Sequence, residues 1–180
     1  MKKEMRPYNK LVQIGFEQVA LTEGFWFEKQ KLIRENSIPK QLEKLEEYRH
    51  IDNFRIAAGI KDSIFRGLFF FDSDLYKWLE ASCMILTKHK DKELERKVEE
   101  IVDLISNAQE QDGYLNTFYS IMFPERKFSN LPIMHELYCM GHFFEAAIAY
   151  YAATGKDTLL NVASKCVDLL IHVFMENKLK

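Results

Sequence analysis

The chain has 180 residues, 47% of them apolar and 29% charged, with a formal net charge of −2. That length suits one domain with a sizeable hydrophobic core. The near-neutral charge, with no basic run interleaved with aromatics, argues against a nucleic-acid binder.

No window approaches the roughly 20 apolar residues that cross a bilayer, so no membrane partner is expected. The N-terminal MKKEMRPYNKLVQIGFEQ lacks the continuous apolar core of a signal peptide. Cys83, Cys139 and Cys166 are odd in number, have no CxxC spacing and fall inside helical patterns. Reduced core thiols follow, and with them an expected cytoplasmic location.

In chain order, residues 1–18 read as a lead-in of the kind that is often disordered, and residues 19–180 as the folded portion. QVALTEGFWF (18–27) alternates and then turns at Gly24, which suggests a short strand or extended arm. Residues 29–36 suit a helical turn or two. Pro39 suits the first position of a helix reaching about Arg49, with Leu42 and Leu45 as its apolar contacts. IDNFRIAAG (51–59) reads as a short helix closed by Gly59, with Asn53 a polar outlier, and FRGLFFF (65–71) as an apolar, β-prone run.

Asp72-Ser73-Asp74 then marks a helix start, with Asp72 or Ser73 as the cap, and the helix runs to about His89. Asp91 caps the next, over about 92–109, whose apolar stripe is Leu94, Val98, Ile101 and Ile105. DGYLNTFY (112–119) reads as a turn and extended chain, and 124–130 as a loop. Helices over about 132–153 and 157–177 follow, parted by Gly155 as a left-handed stop.

Displacing residues 77–105 by 65 places them on 142–170 without a gap. Glu80-Ala81 falls on Glu145-Ala146, Leu94 on Leu159, and Val102-Asp103-Leu104 on Val167-Asp168-Leu169. The stripe of the second helix returns as Leu159, Ala163, Cys166 and Leu170. One helical hairpin is thus used twice, with a non-helical excursion between the copies. Such hairpins stack as an open solenoid or close into a ring, and a ring of six would need about 390 residues at this period. The fold class expected is all-α: repeated helical hairpins forming part of an (α/α)6 toroid.

LPIMHELYCMGHFFE (131–145) mixes ionisable residues into an apolar helix. At helical spacing His135, Cys139 and His142 line one stripe, with Glu136 and Tyr138 just off it. The stripe suits histidines hydrogen-bonded within a core, or a polar face turned to a ligand. A metal held from this one helix would lack a fourth ligand.

LTEGFW (21–26), IDNFRIAAG (51–59), FDSDLYKWLEA (71–81), AQEQDGYLNT (108–117) and MHELYCMGHFFEAAIAYYAATGK (134–156) together resemble, in this order, glycoside hydrolase family 127. Characterised members of that family are β-L-arabinofuranosidases on an (α/α)6 barrel, and the resemblance runs over about residues 19–177. It implies a sugar-binding role for His135, the histidine of the family's HE-[LM]-Y motif. By position, Asp72, Asp74 and Trp78 start an inner helix of the pocket, where an acidic group and an aromatic suit sugar hydroxyls and the C–H face of a ring. His142, two turns beyond His135, is a further contact or a structural residue. Asp72 remains equally readable as a helix cap, and Trp78 as core.

The family's chemistry is a retaining hydrolysis with a zinc-bound cysteine thiolate as nucleophile and a glutamate as acid/base, and zinc keeps such a sulfur deprotonated. The resemblance places those groups in the later half of the barrel. None of the three cysteines here matches the nucleophile motif, so no catalytic residue or zinc ligand is assigned. The expectation is an N-terminal portion of a glycosidase domain contributing part of a pocket for an L-arabinofuranoside-type carbohydrate. It would be inactive alone and partnered by the C-terminal half of the barrel. The alternative is a non-enzymatic helical-repeat module that binds carbohydrate or protein.

Overall fold

In the computed structural model, which describes residues 11, 12, 14, 15 and 18–176, helix follows helix with no strand among the described residues. The lead-in expected over 1–18 falls largely outside them. α1 (Gly24–Leu32) passes through a π-helical segment, Ile33–Ser37, into α2 (Ile38–Glu47), so the strand or arm expected over 18–27 gives way to helix from Gly24 onward. Pro39 sits in the first turn of α2 as expected, where its missing N–H costs nothing. α3 (His50–Ala57) ends ahead of Gly59, which takes the left-handed conformation at φ +70°.

FRGLFFF does not form a strand. Its phenylalanines instead make edge-on contacts, Phe65 and Phe69 with Phe118, and Phe69 with Phe70. Asn53 fixes this segment. Its buried amide accepts from the Arg66 N–H at 3.0 Å and donates to the Arg66 carbonyl at 2.9 Å, supplying the pairing that a neighbouring strand would give.

α4 (Asp72–Lys88) and α5 (Lys92–Ala108) form the first hairpin. The Asp91 carboxylate caps α5, accepting from the Glu93 and Leu94 N–H groups. Leu94, Val98, Ile101 and Ile105 are buried, while Glu93, Arg96 and Glu100 pair on the solvent side. The chain then turns at Gly113 into α6 (Thr117–Met122), which replaces the extended chain expected there. A 3-10 turn, Pro124–Arg126, and the short α7 (Leu131–Met134) lead to the second hairpin, α8 (Glu136–Thr154) and α9 (Thr158–Ile171). Gly155 closes α8 at φ +73°, the left-handed stop read from the sequence.

α4 packs along α8 and α5 against α9, so the hairpins stack in register as an inner pair and an outer pair. Lys77 reaches Tyr138 near the start of α8, and Glu80 senses Glu145 one repeat period away. α4 and α8 are therefore parallel. Cys139, Phe143, Ala146, Ala147 and Tyr150 fill the seam with Leu75, Tyr76, Leu79 and Cys83. This is the helical hairpin arrangement of part of an (α/α)6 toroid. Thr158–Glu176 has the length and composition of a bilayer-crossing helix. The sequence reading missed it because small and polar residues interrupt its apolar run. Leu159, Val162, Ala163 and Cys166 of this helix nevertheless lie in the core.

Candidate functional site

Because α4 and α8 begin at the same end, their first turns share one surface. Asp74 and Lys77 face it from α4, and Tyr138 and His142 from α8, with His135 at the junction of α7 and α8. Lys77 donates to the Tyr138 hydroxyl at 2.8 Å and lies 3.9 Å from Asp74. The Tyr138 ring stands edge-on to His142 at 4.6 Å and to His135 at 5.4 Å. His142 Nδ1 meets the Glu145 carboxylate at 2.9 Å, and Phe69 and Phe70 flank His135 at 5.4 and 5.7 Å. The result is an aromatic ladder edged by hydrogen-bonding groups, a surface suited to a polyhydroxylated ring.

Sequence reasoning passed over His50, one residue before a motif it used. His50 is buried, stacks on Phe71 at 3.8 Å, and lies 3.5 Å from Asp74. Burial pushes its pKa down, although Asp74 pulls the other way, so it is a neutral ring beneath the acidic group. Glu136 and Tyr114 were also missed as a pair. Glu136 is fully buried and accepts from the Tyr114 hydroxyl at 2.5 Å. The signal was available in both, since a carboxylate in an apolar helix and a tyrosine in a Gly-containing turn need partners.

Two sequence candidates lie elsewhere. Asp72 does not cap α4: it is 2% exposed and accepts from the Thr117 backbone N–H at 2.7 Å and the Thr117 hydroxyl at 2.5 Å. It ties α4 to the excursion between the hairpins. Trp78 is also 2% exposed, with its indole N–H donating to the Ile38 carbonyl at 3.0 Å, so it presents no face to a ligand. The expected stripe of His135, Cys139 and His142 is broken because His135 adopts φ +58° and lies outside the helix.

Residues 18–180 match the family described as beta-L-arabinofuranosidase, GH127 catalytic domain. The chain belongs to glycoside hydrolase family 127. It is 45% identical over 124 residues to a non-reducing end beta-L-arabinofuranosidase of Bifidobacterium longum subsp. longum, a match covering 67% of this chain and 19% of that protein. The crystal structure of a GH127 beta-L-arabinofuranosidase from Geobacillus stearothermophilus T6 superposes with a TM-score of 0.84 at 42% identity, over 86% of this chain and 26% of that one. A second GH127 beta-arabinofuranosidase structure gives 0.80 at 33% identity, over 87% and 26%. The chain thus spans about a fifth to a quarter of the GH127 relatives it matches.

The zinc-thiolate chemistry that GH127 membership suggests does not fit the described residues. No group of three His, Cys, Asp or Glu side chains is placed to hold a metal among them. Cys139 is buried and donates to the Phe70 carbonyl at 3.7 Å, and burial drives its thiol pKa far above the ordinary range. Cys83 is pushed up to about 12 and Cys166 to about 11, again by burial. These are packing thiols, unlike the low-pKa sulfur a nucleophile needs.

Proposed function

We propose that this chain supplies one wall of the sugar pocket in a GH127 β-L-arabinofuranosidase barrel, and that Asp74, His135 and His142 contact the sugar. Asp72 and Trp78 support that wall from behind: Asp72 anchors Thr117, and Trp78 fixes α4 against α2. The observation that carries the reading is the parallel start of α4 and α8, which gathers these groups beside Lys77 and Tyr138 on one open face. Asp74 and the imidazoles are hydrogen-bond partners for vicinal hydroxyls, and the Tyr138 ring offers a surface for sugar C–H groups.

The nucleophile, its zinc and the acid/base would come from the rest of the barrel. Ile148, Tyr151, Val167 and Ile171 leave an exposed apolar edge on α8 and α9 where a further helical hairpin would pack. The folded portion is read as residues 19–180, a reading supported by the family match over 18–180. The buried free thiols suit a reducing, cytoplasmic compartment.

The test is a titration of the isotope-labelled chain with L-arabinose, followed through its histidine ring signals. The expected result is a saturable shift at His135 and His142, lost in His135→Ala, with the helical spectrum unchanged. Equal arabinose responses in His135→Ala and the parent chain would remove His135 from the site.

A further inference from the structure

His135 carries a β-carbon yet sits at φ +58°, ψ 21°, between the last residue of α7 and the first of α8. That conformation crowds the β-carbon of an L-residue against the following carbonyl oxygen, so neighbouring structure must hold it. The next residue is Glu136, whose carboxylate is fully buried. One of its oxygens accepts from the Tyr114 hydroxyl at 2.5 Å, and its two oxygens accept from the Phe128 backbone N–H at 2.9 and 3.1 Å. Phe128 is itself left-handed at φ +57°, and its ring stands edge-on to Tyr114 at 5.3 Å. Lys127 lies over the Tyr114 ring at 4.4 Å and pairs with Glu110 at 2.5 Å, closing the strap from the outside.

With Glu136 drawn inward, the left-handed residue before it turns its side chain out to the surface. There His135 Nδ1 lies 2.5 Å from the Ile133 carbonyl. A carbonyl only accepts, so Nδ1 carries the proton and, in the neutral ring, Nε2 keeps a lone pair. This is the less favoured tautomer of a free imidazole in water. The ring is bordered by Phe69, Phe70 and Tyr138.

We propose that Glu136 is a positioning residue for the sugar pocket: through Tyr114 and Phe128 it holds His135 left-handed and its imidazole in the Nδ1–H form, so that Nε2 accepts from a sugar hydroxyl. The sugar part of this rests on the reading of His135 given above; the tautomer lock does not. Glu136 makes no contact with the sugar itself, and its effect is transmitted through the backbone between residues 135 and 136.

Long-range proton–nitrogen correlation on the full chain, with labelled histidines, tests the lock. His135→Asn identifies the His135 signals among the five histidines. The parent chain should show the Nδ1-protonated pattern for His135. Glu136→Gln, which keeps an acceptor for both donors, should retain it. Glu136→Ala should lose it and weaken L-arabinose binding about tenfold, the worth of roughly one hydrogen bond. If Glu136→Ala does not fold, Tyr114→Phe decides, because it removes one donor while the ring still fills the core; the share of the Nε2–H form should then rise. An Nε2–H pattern in the parent chain overturns the lock, as does a His135 pattern unchanged in both Glu136→Ala and Tyr114→Phe. A normal Nδ1–H pattern with no response to arabinose would instead overturn the sugar reading.

Discussion

Asp72→Asn should make the chain more stable at pH 8 and leave it nearly unchanged at pH 4. Burial raises the Asp72 carboxyl from 3.8 to about 6, against the lowering effect of its two bonds from Thr117. A folded pKa above the unfolded one means that the stability contributed by neutral Asp72 is present in full below about pH 4. It is lost as pH rises through about 6. At 1.36 kcal/mol per pH unit, the difference is worth about 3 kcal/mol. Asparagine reproduces the neutral acid: its carbonyl accepts from the Thr117 N–H and its amide donates to the Thr117 oxygen. His50, whose pKa is lowered, contributes the opposite slope, and Glu136, whose pKa is raised, the same slope. Both cancel in the difference between parent and variant. Urea unfolding followed by circular dichroism at pH 4, 6 and 8 measures that difference. A gap growing to about 3 kcal/mol in favour of the variant at pH 8 is expected; a gap independent of pH, or one favouring aspartate at pH 8, refutes the account.

His135→Gly should raise stability by about 1 kcal/mol, by relieving the left-handed strain, while abolishing the arabinose response; a melt paired with the sugar titration separates the two effects. Gly113→Ala should cost about 3 kcal/mol in the same urea assay. Its φ is +93°, and an added β-carbon would lie 2.4 Å from the Lys165 carbonyl oxygen, which is backbone and cannot swing away. Asn53→Ala should cost about 2–3 kcal/mol and speed amide exchange at Arg66, since it strips two hydrogen bonds from a buried site.

The repeat was legible because α5 and α9 are outer helices with one wet face, so the apolar stripe survives in the sequence at Leu94, Val98, Ile101 and Ile105. Asp91 and Gly155 were legible for local reasons, a cap and a left-handed stop. The inner helices gave a weaker signal. α4 packs against α2, α3, α5 and α8, and α8 is apolar even on the edge it leaves exposed, so their periodicity says little about which residue faces the open end. Asp72 looked like a cap because a carboxylate at a helix start commonly is one; its partner Thr117 lies 45 positions away and leaves no local trace. The FRGLFFF run has the composition of a strand, but its aromatics are spent on Phe118 and His135 while Asn53 substitutes for a strand partner. The helix assumed through residue 135 hid the geometry of the site, because a non-glycine left-handed residue has no signature in sequence.

The shared orientation of α4 and α8 also has an electrical side. Each helix carries about half a positive charge at its N-terminal end from the unpaired N–H groups and aligned peptide dipoles. Two such ends converge where Asp74, Tyr138 and His142 meet, and the antiparallel partners α5 and α9 point their negative ends the same way from the outer layer. Those positive ends lie beside the carboxylates of Asp72, Asp74 and Glu136 in the same first turns, and so offset part of their negative charge. If the remaining inner helices of a ring run the same way, every hairpin added brings another positive inner-helix end to one mouth and another negative one to the other.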